Sequence, residues 1–164
     1  MTTTENTPHL TKAPVANTAM LIRKPVAEVF AAFIDPAITT HFWFTRSSGR
    51  LTPGAQIRWD WEMYNVGTDL AVKEIEENRR IVIEWQGYSG LTTVEWQFTP
   101  HGESATFVGI TESGFQGDGD SLAQQAIEST GGFTFVLCGL KAYLEHNIHL
   151  NLIADRHPAN LVTT

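Results

Sequence analysis

The most informative stretch of the sequence is QIRWDWEM, residues 56–63, in which apolar and polar side chains strictly alternate. A period of two indicates a β-strand that buries one face and exposes the other. The turn Pro53-Gly54 marks the start of this strand. The face predicted to point inward consists of Ile57, Trp59, Trp61 and Met63.

Four more segments with strand character follow this stretch. They cover residues 70–76, 80–86, 92–99 and 104–112. Only short turns separate them, and Pro100-His101-Gly102 is typical of such turns. Five consecutive strands joined by short turns predict an antiparallel meander.

Helical periodicity precedes the strands. Apolar residues recur at helical spacing from Val26 to Phe33, which predicts a helix over residues 25–34. A second short helix is predicted over residues 36–42, because the residue before Pro36 avoids helical backbone angles and separates the two segments.

Helical periodicity also follows the strands. The pair Gly131-Gly132 is predicted to end one helical segment that starts near Ser121. A longer helix is then predicted over residues 131–147, with apolar residues along one side. The tail, residues 148–164, is predicted to pack on the domain, but its position on the domain stays open.

The order of these elements predicts an α+β fold. A curved antiparallel sheet is expected to wrap around the long C-terminal helix, with two short helices after a first strand that begins at Ala19. The 164 residues fit a single domain over residues 19–164, preceded by a threonine-rich leader, residues 1–18, that is expected to be flexible. A concave sheet closed by one helix predicts a cavity between them.

Composition and charge argue against several classes of partner. The net charge is −7, and an acidic chain without a basic stripe is a poor ligand for nucleic acids and anionic membranes. The single cysteine, Cys138, cannot form an internal disulfide. With no secretory signal or apolar run of membrane-spanning length, a reducing, cytoplasmic location is expected.

Aromatic residues are the main candidates for a binding site. The inward positions of several strands carry tryptophan, and four tryptophans on one face exceed what a close-packed core of this size readily absorbs. The alternative is that they form an ordinary core. The residues predicted to line a ligand cavity are Trp59, Trp61, Trp85, Trp96, Phe98, Phe133 and Leu137.

Glu112 differs from the other strand carboxylates in the face on which it is predicted to lie. Counting by two places it on the same face as Val108 and Ile110, so it is a lone carboxylate at the cavity wall if that face points inward. If Phe107 and Thr111 point inward instead, Glu112 lies on the surface. The other strand carboxylates are predicted to form a solvated outer face, and these are Asp60, Glu62, Glu84 and Glu95.

The histidines do not predict a metal site. His146 and His149 are three residues apart, but Asn147 is predicted to end the helix between them. They are therefore expected to be surface residues, as is His157. His41 follows the second short helix and is a candidate for the cavity mouth. No metal or cofactor is expected.

Several short motifs together resemble a known superfamily. The chain is similar over residues 19–147 to START-like helix-grip (SRPBCC) proteins, in particular to the branch that includes the C-terminal domain of the activator of the heat-shock chaperone ATPase. Two positions depart from the pattern: Phe133 replaces a usual tryptophan and Glu77 a usual proline. The motifs that carry the resemblance are Pro25-x-x-Glu28-Val29-Phe30, Asp35-Pro36, Trp43-Phe44, Pro53-Gly54, Val72-x-Glu74-Ile75, residues 80–85, Thr111-x-x-Gly114-Phe115 and Gly132-Phe133.

The resemblance implies a helix-grip fold and three alternative functions. The first is binding of a small hydrophobic, aromatic or lipid-like molecule in the cavity, and it is favoured over catalysis. The second is a cyclase- or dehydratase-type enzyme that uses the same cavity, with Glu112, Tyr64 or His41 as the proton-transfer group. The third is a co-chaperone that acts through its surface. A homodimer stays open as the assembly.

Overall fold

A computed structural model describes residues 7–159. Within that range the chain forms one seven-stranded antiparallel sheet and four α-helices. The strands are β1 (Ala16–Ile22), β2 (Arg46–Ser47), β3 (Gln56–Trp61), β4 (Val66–Glu76), β5 (Arg80–Gln86), β6 (Leu91–Pro100) and β7 (Thr106–Ser113). The helices are α1 (Val26–Ile34), α2 (Pro36–Thr39), α3 (Gly119–His146) and α4 (Leu152–Arg156).

The sheet confirms the predicted α+β architecture. Its strand order is β1-β7-β6-β5-β4-β3-β2, so β3 to β7 form the predicted meander and β1 joins its far edge beside β7. The sheet curves around α3. Hydrogen bonds among the described residues join α3 to β1: the hydroxyls of Thr18 and Thr134 lie 2.7 Å apart, and Lys141 Nζ donates to the Leu21 carbonyl oxygen at 2.9 Å. The two short helices after the first strand are confirmed as α1 and α2, although α2 ends at Thr39 and not at the predicted residue 42.

The predicted break at Gly131-Gly132 is wrong, because α3 is one continuous helix of 28 residues. Its N-cap is Asp118, whose carboxylate accepts from the Ser121 amide at 2.9 Å. Each interior glycine costs about 1 kcal/mol relative to alanine. Buried side chains on the same helix, such as Phe133 and Leu140, offset that cost through packing. Both glycines face open space.

Two strand boundaries differ from the prediction. β1 begins at Ala16, which is only 2% exposed, so part of the predicted leader belongs to the sheet. Residues 1–6 of that leader lie outside the described part of the chain. β3 ends at Trp61, because Asn65 adopts a left-handed backbone with φ of 53° and a 3-10 turn over Glu62–Tyr64 reverses the chain. Met63 is therefore exposed and does not point inward.

Three of the four predicted carboxylates lie on the outer face of the sheet in ion pairs, whereas Glu62 lies in the 3-10 turn after β3 and not on a strand. Glu84 pairs with Lys73 at 3.6 Å, and Asp60 pairs with both Arg46 and Arg58 at 3.2–3.3 Å. The Arg80 guanidinium donates two hydrogen bonds of 3.1 Å to Glu95 and holds the pKa of that carboxyl below its ordinary value. These charged groups belong to the solvated side, which leaves the inner face for the core and for the site.

Candidate functional site

Two adjoining clefts open between the inner face of the sheet and α3. The outer cleft, near the β5–β6 turn, encloses about 330 Å³, and the inner cleft, beneath α4, encloses about 250 Å³. The outer cleft is lined by residues that include Trp61, Val66, Tyr88, Phe115 and Gln125. The inner cleft is lined by residues that include Trp43, Tyr64, Phe133, Val136, Ile153 and Arg156. Both linings are mainly apolar, which is typical of small-molecule sites.

The two clefts share three residues: Trp85, Glu112 and Ser129. We call this group the junction. Each member comes from a different element, since Trp85 lies on β5, Glu112 on β7 and Ser129 on α3. Antiparallel pairing of β5, β6 and β7 brings the first two side chains to the same end of the inner face. A ligand that fills both clefts must therefore pass the junction.

The Glu112 carboxylate accepts three hydrogen bonds. Trp85 Nε1 donates to Oε2 at 2.7 Å, and the Thr92 hydroxyl donates to the same oxygen at 2.5 Å. The Ser129 hydroxyl donates to Oε1 at 2.5 Å. Glu112 is only 6% exposed, so these donors replace the water that burial removes.

In β7, the face that carries Val108, Ile110 and Glu112 points inward. Val108 and Ile110 are completely buried, whereas Phe107 is 49% exposed. Glu112 therefore points inward with Val108 and Ile110. A carboxylate offers about four acceptor positions, so roughly one remains for a ligand hydroxyl or N–H group after the three donors of the junction.

The seven predicted lining residues divide into two groups. Three of them line the clefts: Trp61 the outer one, Phe133 the inner one, and Trp85 both. The rings of Trp85 and Phe133 stack with centroids 6.0 Å apart and planes inclined by 26°. The remaining four line neither cleft and are at most 3% exposed, and these are Trp59, Trp96, Phe98 and Leu137.

The buried group behaves as close-packed core. Trp59 stacks on Phe44 with a centroid distance of 4.6 Å, and Phe98 meets Phe30 edge to face at 5.3 Å. Trp96 Nε1 has no hydrogen-bond partner within residues 7–159. A direct ligand contact for these four residues stays a prediction, and their packing gives it no support.

Trp43 was not predicted as a site residue, although it has a central position. It follows α2 in a loop and lines the inner cleft. Its ring lies within 6.2 Å of the rings of Trp59, Trp61, Trp85, Trp96 and Phe133. The run Phe42-Trp43-Phe44 was the available signal, but a loop has no period from which an inward face could be assigned.

The other two candidate catalytic residues are placed differently. Tyr64 lines the inner cleft, but its hydroxyl donates to the carbonyl oxygens of Ile153 and Ala154 and so fastens α4 to the domain. His41 lines neither cleft. Its Nδ1 lies 2.9 Å from His149 Nε2, and its ring stacks on Tyr143 at 4.5 Å. Of the three candidates, Glu112 alone joins both clefts.

No group of three or more histidine, cysteine, aspartate or glutamate side chains within residues 7–159 is arranged to hold a metal ion. None of the helices in the same range combines the length and apolar character needed to cross a membrane.

Several solved structures share this architecture. Protein SSP2350 from Staphylococcus saprophyticus is 29% identical, with a TM-score of 0.72 over 83% of this chain and 95% of that one. DynU16, described as a protein in the dynemicin biosynthetic locus, is 25% identical with a TM-score of 0.72, over 83% of this chain and 49% of its own. The Aha1 dimer from Colwellia psychrerythraea is 21% identical, with a TM-score of 0.68 over 80% and 96% of the two chains. No curated protein sequence matches the chain.

The curved sheet, the long C-terminal helix and the clefts between them define a START-like helix-grip protein. The family model for the activator of Hsp90 ATPase homolog 1-like protein matches residues 23–145. The chain belongs to this family, and the predicted resemblance is confirmed.

Proposed function

We propose that this protein binds a small, largely apolar ligand across the two clefts, with a polar group of the ligand hydrogen-bonded to Glu112. The observation that carries the proposal is the position of a buried, hydrogen-bonded carboxylate at the meeting point of two apolar clefts. Together the clefts fall within the range of roughly 300–1,000 Å³ that ligand sites occupy. A few fixed polar groups in an apolar lining provide orientation and specificity.

The aromatic lining supports a ligand with a flat, unsaturated body. Trp85 is half-buried, so part of its ring is available to a ligand, and it stacks near Phe133 on the wall of the inner cleft. Trp43 and Trp61 contribute further ring surface to the inner and outer clefts, respectively. Flat rings gain offset-stacked and edge-to-face contacts in such a lining beyond simple area burial.

Two adjacent glycines provide a test of this proposal. Gly131 and Gly132 both lie on α3, and a Cβ atom at either position would meet no heavy atom within 4 Å. Only Gly132 lines the inner cleft, since Gly131 lines neither cleft. Gly132→Leu is therefore expected to fill cleft volume, and Gly131→Leu is the matched control with the same change in helix propensity.

The measurement is a fluorescence titration with phenylnaphthylamine, a neutral aromatic probe that brightens in apolar sites. We expect Gly132→Leu to weaken binding by at least about tenfold, because a filled site loses contacts worth more than 1.4 kcal/mol. Gly131→Leu should bind as the wild type does. Equal affinities for both variants and the wild type would place the probe elsewhere and refute the proposal.

A second function is favoured by one observation, the inward position of Glu112. In a cyclase or dehydratase, a carboxylate at the cavity wall would transfer the proton. DynU16, which is 25% identical, is described by its place in a biosynthetic locus. The two functions differ in whether the bound molecule leaves unchanged, so the mass of the recovered ligand distinguishes them. Glu112 already accepts three hydrogen bonds, and this arrangement favours anchoring of a ligand.

The remaining expectations concern partners and location. The family description refers to activation of a chaperone ATPase, and the clefts carry no argument for that surface activity. One structural relative was solved as a dimer. A co-chaperone role, a homodimer and a cytoplasmic location therefore remain predictions for this chain.

A further inference from the structure

The C-terminal segment, residues 148–159, forms part of the inner cleft although it lies outside the stretch that matches the family. It contributes Ile153, Arg156 and His157 to the lining. Polar contacts help to fasten it, since Tyr64 donates to backbone oxygens of α4 and His41 Nδ1 lies 2.9 Å from His149 Nε2. Ile153 also packs against the core. The segment therefore adds side chains to the site that the family pattern does not predict.

Arg156 is the unusual member of this lining. Eight of the 11 lysine and arginine side chains form ion pairs with carboxylates. Within residues 7–159, Arg156 makes no such pair. The other two basic residues without a pair in that range are Lys12 and Arg23, and they line neither cleft. Arg156 is exposed and lines the inner cleft, so its guanidinium is available to a ligand.

The inner cleft also contains charge of both signs. Glu112 belongs to the junction, whereas Arg156 comes from the last turn of α4, and the two side chains form no ion pair with each other. Between these polar groups the lining is apolar and includes Phe133 and Ile153. An anionic group on a ligand is attracted by the Arg156 guanidinium, whereas the hydrogen-bonded carboxylate of the junction offers it no such attraction.

We propose that the inner cleft selects amphipathic ligands that carry an anionic group, and that Arg156 binds this group. This proposal rests on the proposed function. Guanidinium groups suit carboxylates, sulfonates and phosphates because their N–H donors match two acceptor oxygens at once. The flat apolar body of the ligand lies along Phe133 and Trp85, and its anionic end reaches α4. This assignment names the ligand class and its direction in the cleft.

Two probes that share one ring system test the assignment. Anilinonaphthalene sulfonate carries a sulfonate, and phenylnaphthylamine does not. We expect Arg156→Gln to weaken binding of the sulfonate probe by about tenfold, the value of one charge-assisted hydrogen bond. Binding of the neutral probe should weaken much less, because this probe has no anionic group for Arg156 to bind. Arg156→Lys should recover only part of the affinity for the sulfonate, because it keeps the positive charge but not the paired donors. Lys12→Gln is the control for loss of an unpaired cation that lines neither cleft.

The outcomes separate the role of Arg156 from the proposed function. Equal weakening of both probes by Arg156→Gln would mean that Arg156 only shapes the cleft, and it would overturn the assignment. An unchanged affinity of Arg156→Gln for the sulfonate probe would overturn the assignment as well. In that case the proposed function would still stand if Gly132→Leu weakened binding of the neutral probe. Failure of the wild type to bind either probe would overturn the proposed function and, with it, the selection of anionic ligands.

Discussion

Replacement of Glu112 by alanine is expected to lower the free energy of unfolding by about 3 kcal/mol. The change leaves the indole N–H of Trp85 and the hydroxyls of Thr92 and Ser129 without their acceptor. Each buried donor that loses its partner costs about 1–3 kcal/mol, although hydroxyls can turn toward other acceptors. Urea unfolding followed by tryptophan fluorescence measures the change.

The matched control for this substitution is Glu84→Ala. Glu84 also lies on a central strand, but it points to the outer face and pairs with Lys73 at 3.6 Å in a half-exposed position. Exposed ion pairs contribute about 0.2–1 kcal/mol, so this variant should lose less than 1 kcal/mol. If both variants lost the same amount, the three hydrogen bonds of Glu112 would not stabilise the fold.

Trp59→Ala is expected to lower the free energy of unfolding by about 4 kcal/mol, within the range for large aromatic residues in a core. Its side chain is 1% exposed and stacks on Phe44. Because Trp59 lines neither cleft, the folded fraction of the variant should still bind phenylnaphthylamine. Trp85→Ala should lower the free energy of unfolding less than Trp59→Ala does, and it should weaken binding of the probe more.

The measurement combines unfolding curves with probe titrations of both tryptophan variants. Trp85 serves as the comparison because it lines both clefts and is half-buried. Affinity that falls as much in Trp59→Ala as in Trp85→Ala, after correction for the folded fraction, would contradict the division of the tryptophans into core and cleft.

The sequence predicted the sheet and the direction of its side chains well, because a period of two determines which face each residue occupies. The inward position of Glu112 follows from its spacing to Val108 and Ile110, and burial of those two residues agrees. Periodicity does not show how deeply a side chain is buried. Trp59 and Trp61 share one face of β3, yet only Trp61 reaches a cleft.

Other parts of the site depend on packing that no local pattern encodes. The pair Gly131-Gly132 disfavours a helix locally, but burial of the residues around it keeps α3 continuous. Trp43 lies in a loop without a period. In the tail, the alternating Ile148 and Leu150 are exposed, and the contact with the core is made by Ile153.

The most direct measurement of the ligand site is a proton–nitrogen correlation spectrum recorded during a titration with phenylnaphthylamine. Each of the five tryptophans contributes one indole signal, and single Trp→Phe variants assign them. We predict the largest shifts for Trp43, Trp61 and Trp85, which line the clefts, and the smallest for Trp59 and Trp96, which lie in the core. Saturation with no indole shift, or with the largest shifts at Trp59 and Trp96, would contradict a ligand site in these clefts.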